Sequence, residues 1–425
     1  MKKVYFLTLV SLLVFLGVSV YGGGKQEGKG TVLRVASSSE GPEHIAIYDK
    51  MIADFEAKHP GVTVTWDRSS GDDYQFQGLP SLLQSSTPPD IYSEWAGNRV
   101  KNHYLDHEAM DLSSLADRLR PIIDDSAWSG AVFDGKTYMI PTSQDVTIMM
   151  WYNVDIFNKL NLKVPKTWTE FLTVCAKIKE AGMTPILMGN SDAWIAGNFV
   201  GLFLYRWAGE QKTIDILSLK PGTKFTDPDF VKAMQFAYDL GKLGYINKDL
   251  NTLEYEPSFA RLFDGSAVMY PLGTWFKTEI IQGIAPDPEK ANFDFFNLPA
   301  MEGGKGDQSS YMGVNAGFMM NAKTKHRALA EEFLTMMVAP EYRKEFAKVG
   351  DFPSVKDTLD PSDSYAMKVK AMMNQTKTVV APPDTGYNLE MSTALYQAMA
   401  KVLVNEMTPE AALAEVETKI SHLRQ

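Results

Sequence analysis

The stretch from Asp134 to Lys179 constrains the fold of this chain more than any other. It opens with Asp134-Gly135 between two apolar runs, a pair that favours a tight hairpin because the turn needs positive φ. Pro141 is then expected to stop the second strand, and a polar patch follows at 142–145. The apolar run at 147–152 is nearly continuous, which is typical of a strand buried on both faces. Two strands separated by a proline and a short polar loop predict a backbone that passes from one lobe to another.

A well-marked helix start follows this crossing. Thr167 occupies an N-cap position, and Glu170 three residues later completes a capping box. Cys175, the only cysteine, has helical spacing with Trp168 and Phe171 and is interpreted as a small buried hydrophobe. A single cysteine excludes a disulfide within the chain, so the fold must depend on its hydrophobic core.

Predicted strands and helices alternate on both sides of the crossing, a pattern typical of parallel, helix-covered sheets. The predicted strands cover 32–36, 62–66, 90–93, 185–188, 267–270, 293–298 and 311–320. The last predicted helices cover roughly 325–338, 341–349, 388–406 and 409–423. The fold class expected from this alternation is α/β.

The length of 425 residues exceeds what one ordinary core holds, so two lobes are expected. Three crossings between them are predicted, near Pro141-Thr142, Met312-Gly313 and Phe352-Pro353. The lobes are then discontinuous. Lobe 1 consists of 31–142 and 313–351, and lobe 2 of 143–312 and 352–425. A hinge of several strands suits a protein that closes around a ligand.

The beginning of the sequence has the features of a secretory signal peptide. Lys2-Lys3 precedes an apolar run at 5–20, and the small residues 22–24 follow. We expect cleavage near Gly22, with a signal peptide at 1–22 and a linker at 23–30. An uncleaved membrane anchor is the alternative, because the run approaches spanning length. A lipoprotein anchor would need a cysteine at the cleavage site, and the leader has none.

The formal net charge of −10 argues against a nucleic-acid partner, since phosphate contacts need clustered lysine and arginine. The chain also lacks G-x-S-x-G, H-E-x-x-H and Walker motifs. A glycosidase needs two carboxylates at a defined separation, and Glu40, Glu94 and Asp145 leave that possibility open. His103 and His107 could share a helical face as metal ligands, but without a second ligand cluster the segment is interpreted as solvated. We expect neither a metal nor a cofactor.

Short polar and aromatic clusters follow several predicted strands, at the sheet edge where ligands bind in open α/β folds. They lie at 37–40, 94–95, 142–145, 192–194 and 273–275. An indole beside a carboxylate or amide suits a sugar, because the ring covers the C–H face and the polar group accepts hydrogen bonds from hydroxyls. A tryptophan taken singly is more often core, but three at strand ends favour ligand contacts.

The sequence resembles the extracellular solute-binding proteins (family 1) of ABC importers, in the carbohydrate-binding, maltose-binding-protein-like branch. The most specific segments are PKTWTEF at 165–171 and GSAVMYPLGTW at 265–275. Further matching segments are FEAKHPGV, DGKTYMIP, MWYNVDIF, GMTPILMGNSDAW, FTDPDF and MTPEAALAEVE. The resemblance implies a periplasmic-binding-protein type II fold, with two α/β lobes, a three-crossover hinge and a ligand held between the lobes.

The resemblance also implies ligand-binding positions. Carried over by position, they are Glu40, Trp95, Asp145, Trp194, Trp275, Gly313 and Asn315. Many relatives carry Asp at the position of Asn315 after a glycine pair, which is reduced here to Gly313-Val314.

The function expected is that of a periplasmic or secreted, monomeric receptor that binds a mono- or oligosaccharide. It would deliver the sugar to the permease subunits of an ABC importer by hinge closure, without catalysis of its own. One alternative is a secreted glycoside-active enzyme. Another keeps the fold but binds a polyamine, a metal chelate or a glycerol phosphodiester. A phosphate would favour basic contacts, and Arg99 is the only arginine near the proposed cleft loops.

Overall fold

The computed structural model describes residues 30–38, 41–69, 74–281 and 291–424. The predicted signal peptide, most of the predicted linker and the predicted site residue Glu40 lie outside them. None of the helices in the described ranges is both apolar and long enough to span a bilayer.

Within the described ranges the strands form two main sheets, one of six strands and one of four, together with a small hairpin. In chain order the described strands are β1 Thr31–Ser38, β2 Val62–Ser69, β3 Ile91–Trp95, β4 Val132–Phe133, β5 Lys136–Thr137, β6 Ile140–Val146, β7 Met149–Asn153, β8 Thr184–Ile186, β9 Ala267–Leu272, β10 Phe293–Phe296, β11 Tyr311–Met320 and β12 Val379–Val380. The six-stranded sheet has the order β12-β11-β3-β1-β2, with β6 also paired to β11. The four-stranded sheet has the order β10-β7-β9-β8.

Both sheets are mixed, whereas the alternation predicted parallel sheets. β1 runs parallel to β2 and β3, and β8 runs parallel to β9. β11 is antiparallel to β3 and β6, and β7 is antiparallel to β9 and β10. A parallel neighbour needs a crossover connection within one sheet. β7 instead follows β6 after only two residues, so the chain enters the second sheet without such a crossover.

Helices cover the sheets, and those predicted for the end of the chain are confirmed within a few residues. The described helices are Pro42–Lys58, Leu79–Leu83, Asn98–Leu105, Ser113–Leu119, Val154–Lys159, Trp168–Glu180, Trp194–Ala208, Glu210–Leu217, Pro228–Lys242, Tyr255–Ser258, Ala260–Phe263, Phe276–Glu279, Arg327–Met337, Pro340–Lys348, Ser364–Gln375, Pro383–Gly386, Leu389–Leu403 and Pro409–Lys419. Their apolar faces form separate buried clusters. The largest packs around the four-stranded sheet, and another packs Phe55 and Phe333 against β1 and β11.

The predicted helix start after the crossing is confirmed. Thr167 caps helix Trp168–Glu180, because its hydroxyl accepts a hydrogen bond from the Glu170 backbone N–H at 3.2 Å. The Glu170 carboxylate accepts in return from the Lys166 N–H, at 2.7 Å. Cys175 is fully buried in this helix and unpaired, as its spacing predicted.

The predicted Asp134-Gly135 turn is also confirmed. Both residues have positive φ, 49° and 74°, between the antiparallel strands β4 and β5. The prediction that Pro141 ends a strand is wrong, because β6 runs through it to Val146. The register of β6 against β11 shifts beside Gly317, the partner of Pro141. Such an irregularity lets a strand contain a residue that has no N–H to donate.

The three segments predicted to cross between lobes lie side by side. β6 pairs along β11 from Gly313 to Phe318. On the other side of β6, the Gln144 N–H donates to the Phe352 carbonyl at 2.8 Å, and the Ser354 N–H donates to the Thr142 carbonyl at 3.0 Å. Gly317 permits the close approach predicted for it, since a Cβ there would lie 2.2 Å from the Ile140 carbonyl oxygen.

Candidate functional site

Trp194 and Trp275, two predicted site residues, lie next to each other at one edge of the four-stranded sheet. β8 and β9 are parallel, so the loops that follow them emerge at the same edge. Trp194 begins the helix after β8, and Trp275 stands three residues beyond β9. Their ring centroids are 5.9 Å apart, and the ring of Tyr255 lies 5.5 Å from that of Trp194. All three residues are half-buried.

Gly273 is required by the indole of Trp275. A Cβ on Gly273 would lie 2.2 Å from Cζ3 and 2.4 Å from Cη2 of that ring. Gly273 is outside the left-handed region of backbone conformations. Glycine is therefore needed at position 273 for space: the indole of Trp275 packs back over the Gly273 Cα, where a Cβ would clash with it.

A hydrogen-bonded chain lies behind the two indoles. Trp275 Nε1 donates to Tyr255 Oη at 3.0 Å, and Tyr255 Oη donates to Glu279 Oε1 at 2.5 Å. Burial raises the pKa of Glu279 to about 8, and the other oxygen, Oε2, is buried without a hydrogen-bond partner. The sequence analysis missed Tyr255 and Glu279. Glu279 stands four residues after Trp275, a spacing that places neighbours on one helical face and could have indicated it.

Asp145 lies on the crossing strand β6, where the sequence predicted a loop. Its Oδ1 accepts from Thr274 Oγ1 at 2.8 Å, and its Oδ2 accepts from Ser143 Oγ at 3.3 Å. Burial and the nearby carboxylate of Asp351 raise the pKa of Asp145 to about 7. Asp351 is also 3.0 Å from His44 Nε2. Since Thr274 belongs to the loop that carries Trp275, Asp145 joins a crossing strand to the aromatic pair.

Trp95 ends β3 on the six-stranded sheet and is half-buried. The guanidinium carbon of Arg99 lies 5.7 Å from the centre of its ring. Arg99 also donates to Gln75 Oε1 at 2.6 Å and approaches the buried Glu94 carboxylate at 4.0 Å. Arg99 is thus part of a polar cluster beneath Trp95.

The interpretation of the histidine segment as solvated is wrong for His103. His103 is largely buried between Glu94, 3.2 Å from Nε2, and Glu108, 2.8 Å from Nδ1. Burial opposes the charged imidazole, but the hydrogen bonds to these carboxylates outweigh it and raise the pKa of His103. His107 is exposed. Within the described ranges, no three or more His, Cys, Asp or Glu side chains are grouped so as to hold a metal ion.

Gly313 and Asn315 lie on β11 beside the other predicted site residues. A Cβ on Gly313 would lie 3.3 Å from the Asp145 carbonyl oxygen, so the two crossing strands are close there. The Asn315 amide donates to the carbonyls of Ser126 and Ser129 at 3.1 and 3.2 Å. Both N–H groups of the Asn315 amide are therefore directed toward backbone carbonyls near the six-stranded sheet.

The described site residues fall into two groups joined by the crossing strands. One group contains Trp194, Trp275 and Asp145. The other contains Trp95 and Asn315, and the Asn315 carbonyl accepts from the N–H of Ala96, next to Trp95, at 2.8 Å. Gly313 lies on β11 beside the Asp145 carbonyl. β6 and β11 connect the groups, because Val314 pairs with Asp145.

The chain segments on either side of the crossing also meet away from it. A Cβ on Gly97, just after β3, would lie 2.7 Å from the carbonyl oxygen of Thr385. Burial raises the pKa of the neighbouring Asp384, while the positive charge of Arg99 opposes that rise. The sequence analysis did not anticipate this contact, which joins residues almost 300 positions apart.

The family model described as "Bacterial extracellular solute-binding protein" matches residues 39–344. The "Multiple sugar-binding protein" of Streptococcus mutans is 24% identical, over 85% of this chain and 85% of its own. An "Uncharacterized ABC transporter extracellular-binding protein" of Pyrococcus horikoshii is 22% identical, over 100% of this chain and 93% of its own. The solved structure of a "Chitin oligosaccharide binding protein" has a TM-score of 0.84 and 20% identity, covering 93% of this chain and 100% of that one.

Proposed function

This chain belongs to the bacterial extracellular solute-binding proteins, and on that premise we propose that it binds a mono- or oligosaccharide and delivers it to the permease subunits of an ABC importer. Its architecture is the α/β type II fold of periplasmic binding proteins. The S. mutans relative is named for sugar binding, and the similar solved structure for a chitin oligosaccharide. The family consists of solute-binding receptors.

The half-exposed pair Trp194 and Trp275 carries the proposal. Indole faces cover the C–H surface of a sugar ring, and nearby polar groups take its hydroxyls. Here the two rings lie 5.9 Å apart, and the carboxylate of Asp145 is one hydrogen bond from the Trp275 loop. A neutral, hydroxyl-rich ligand fits this mixture of apolar faces and hydrogen-bonding groups.

The alternatives have less support. Arg99, which a glycerol phosphodiester would use, already contacts Gln75 and Glu94. Glu94, a carboxylate that a glycoside-active enzyme would use, accepts from the Trp95 N–H and lies against His103. Incubation with oligosaccharides, followed by analysis for shorter products, tests the enzyme directly. Products formed by the wild type would contradict a receptor without catalysis.

We further propose that the ligand lies between lobe 1, 31–142 and 313–351, and lobe 2, 143–312 and 352–425. The lobes would hinge on the three neighbouring segments that include β6 and β11. We propose a monomeric protein, exported to the periplasm or secreted after cleavage near Gly22. The intact mass of the exported protein checks the cleavage, and a full-length mass would contradict it.

A thermal-shift panel of mono- and oligosaccharides tests the ligand class. A ligand at ~100 times its Kd adds about 2.7 kcal/mol to the free energy of unfolding, which raises the melting temperature measurably. The sugar with the largest shift is then titrated calorimetrically. A panel in which no sugar shifts the melting temperature, while a polyamine or phosphodiester does, would overturn the sugar proposal.

Trp275→Ala tests the site. If a sugar stacks on the ring, its affinity should fall by about 2 kcal/mol, roughly thirtyfold, with little change in the melting temperature of the free protein.

Trp207→Ala is the matched control. Trp207 is another half-buried indole, 5.0 Å from Phe236, and lies about 20 Å along the helix from Trp194 at 1.5 Å per residue. Its affinity should equal that of the wild type. If Trp275→Ala keeps wild-type affinity but melts far lower, Trp275 is a core residue and leaves the site.

A further inference from the structure

Glu279 is the only described carboxyl that is hydrogen-bonded to the side chains behind the two indoles. Glu279 accepts a hydrogen bond from the Tyr255 hydroxyl, and that hydroxyl accepts one from the indole N–H of Trp275. We propose that Glu279 is a positioning residue, which fixes the orientation of Trp275 for ligand binding through the hydroxyl of Tyr255. The inference rests on the proposed function, since it concerns the ring that would contact the sugar.

Trp275, Tyr255 and Glu279 are held in place by two separate segments of the chain. Glu279 belongs to the short helix that follows Trp275, and its N–H donates to the Trp275 carbonyl at 2.9 Å. Tyr255 comes from a separate segment between β8 and β9, and its ring is packed 4.9 Å from Phe259. Because Phe259 is fully buried, Tyr255 provides a fixed hydroxyl against which the indole N–H is oriented.

The burial of Glu279 indicates a specific role. Buried polar groups are stabilising only when they are hydrogen-bonded, and an unsatisfied one calls for an explanation. Among the described residues, Oε2 of Glu279 has no hydrogen-bond partner and Oε1 accepts from Tyr255 Oη, so this bond is the described contact that uses the carboxyl. Replacing Glu279 alone by an apolar side chain would leave the Tyr255 hydroxyl without this acceptor, at a cost in free energy.

Positioning affects affinity through the fraction of molecules that are ready to bind. When the binding-competent arrangement is only partly populated, the apparent Kd rises in inverse proportion to that fraction. Trp275 without its hydrogen bond would be restrained mainly by packing over Gly273 and against Trp194. The hydrogen-bonded chain should therefore keep one indole orientation dominant in the free protein.

Three substitutions test this chain of contacts with the sugar that binds the wild type best. Glu279→Met removes the acceptor, and Tyr255→Phe removes the hydroxyl while keeping the ring. Both should weaken binding by about fivefold to tenfold, the effect of losing one ordinary hydrogen bond. Glu279→Gln keeps an acceptor oxygen in the same shape and should stay within about twofold of the wild type.

Tyr152→Phe is the matched control. It breaks another tyrosine–carboxylate bond, between Tyr152 Oη and Asp294 Oδ2 at 3.2 Å, in the same four-stranded sheet. Its affinity should equal that of the wild type.

The Trp275 indole N–H resonance gives a readout that a general loss of stability would not move. It is assigned in 15N-tryptophan-labelled protein as the peak that disappears in Trp275→Phe. The peak should shift upfield in Tyr255→Phe and Glu279→Met, and should remain in place in Glu279→Gln and Tyr152→Phe.

Each outcome decides a separate question. Wild-type affinity and an unmoved resonance in Tyr255→Phe would overturn the positioning role, even if Glu279→Met failed to fold. Weaker binding in Glu279→Met alone, with Tyr255→Phe unchanged, would assign Glu279 to packing. If the wild type binds no sugar, the proposed function fails, whereas the resonance still reports whether Glu279 orients Trp275.

Discussion

Because the Trp275 indole covers Gly273, one added methyl group can test the importance of ring placement without removing any aromatic surface. In Gly273→Ala the new Cβ would stand 2.2, 2.4 and 2.5 Å from three carbons of the indole. Carbon atoms in contact prefer about 3.5–4.0 Å, so ring and backbone must separate by about 1 Å or more.

The ring is the partner that should move. The backbone is held on both sides, since Trp151 Nε1 donates to the Gly273 carbonyl at 3.0 Å and the Thr274 N–H donates to the Val146 carbonyl at 2.9 Å. Displacement of the ring also breaks its bond to Tyr255 Oη. Affinity for the sugar should therefore fall by tenfold or more, as when a central aromatic contact is lost. Overpacking should lower the free energy of unfolding by about 1–3 kcal/mol.

Calorimetric titration and melting of the same protein measure both quantities. Gly201→Ala is the matched control, because it adds the same methyl group inside the same lobe. There the nearest atom is the flexible end of Met312, 3.2 Å away, so affinity and melting should change little. Gly273→Ala with wild-type affinity and a lowered melting temperature would refute the reasoning. The ring would then be displaced without consequence for binding.

Two further predictions concern the crossing strands. Burial and the carboxylate of Asp351 raise the pKa of Asp145 from its ordinary value near 4 to about 7, so the folded state holds more protons than the unfolded chain between these pH values. The free energy of unfolding should fall as pH rises through that window, by at most about 4 kcal/mol, and Asp145→Asn should lose this slope. Melting at pH 4.5 and 7.5 checks it, and identical slopes in both proteins would contradict it. Solution scattering should give a smaller radius of gyration with bound sugar, because hinge closure brings the two lobes together around the ligand. A radius that stays constant at saturation would contradict hinge closure.

Local signals in the sequence predicted the elements well. β11 occupies the predicted residues 311–320. Thr167 and Glu170 marked a helix start through contacts only three residues apart. The strand-end rule brought Trp194 and Trp275 to one edge, since it depends only on parallel β8 and β9.

The errors arose where a residue's partner belongs to a different segment of the chain. Pro141 was expected to end a strand, but the irregularity that accommodates it involves Gly317, far along the chain. His103 was interpreted as solvated because its segment has no second ligand cluster, but its partner Glu94 belongs to the preceding strand and not to the histidine's own segment. Tyr255 and Glu279 are 24 residues apart, and no periodic pattern marks a side-chain hydrogen bond of that kind.

The position of Asp145 constrains how binding and closure can be coupled. A ligand shifts a conformational equilibrium only by as much as its affinity differs between the two states. Trp194 and Trp275 both belong to the proposed lobe 2, so a sugar that touched only them would bind the open and closed forms equally. For the sugar to favour the closed form, it must therefore also contact residues of the proposed lobe 1, such as Trp95 and those on β11. Asp145 lies between these sides, paired with Val314 and bonded to Thr274, so a ligand that reaches it contacts the crossing strand itself.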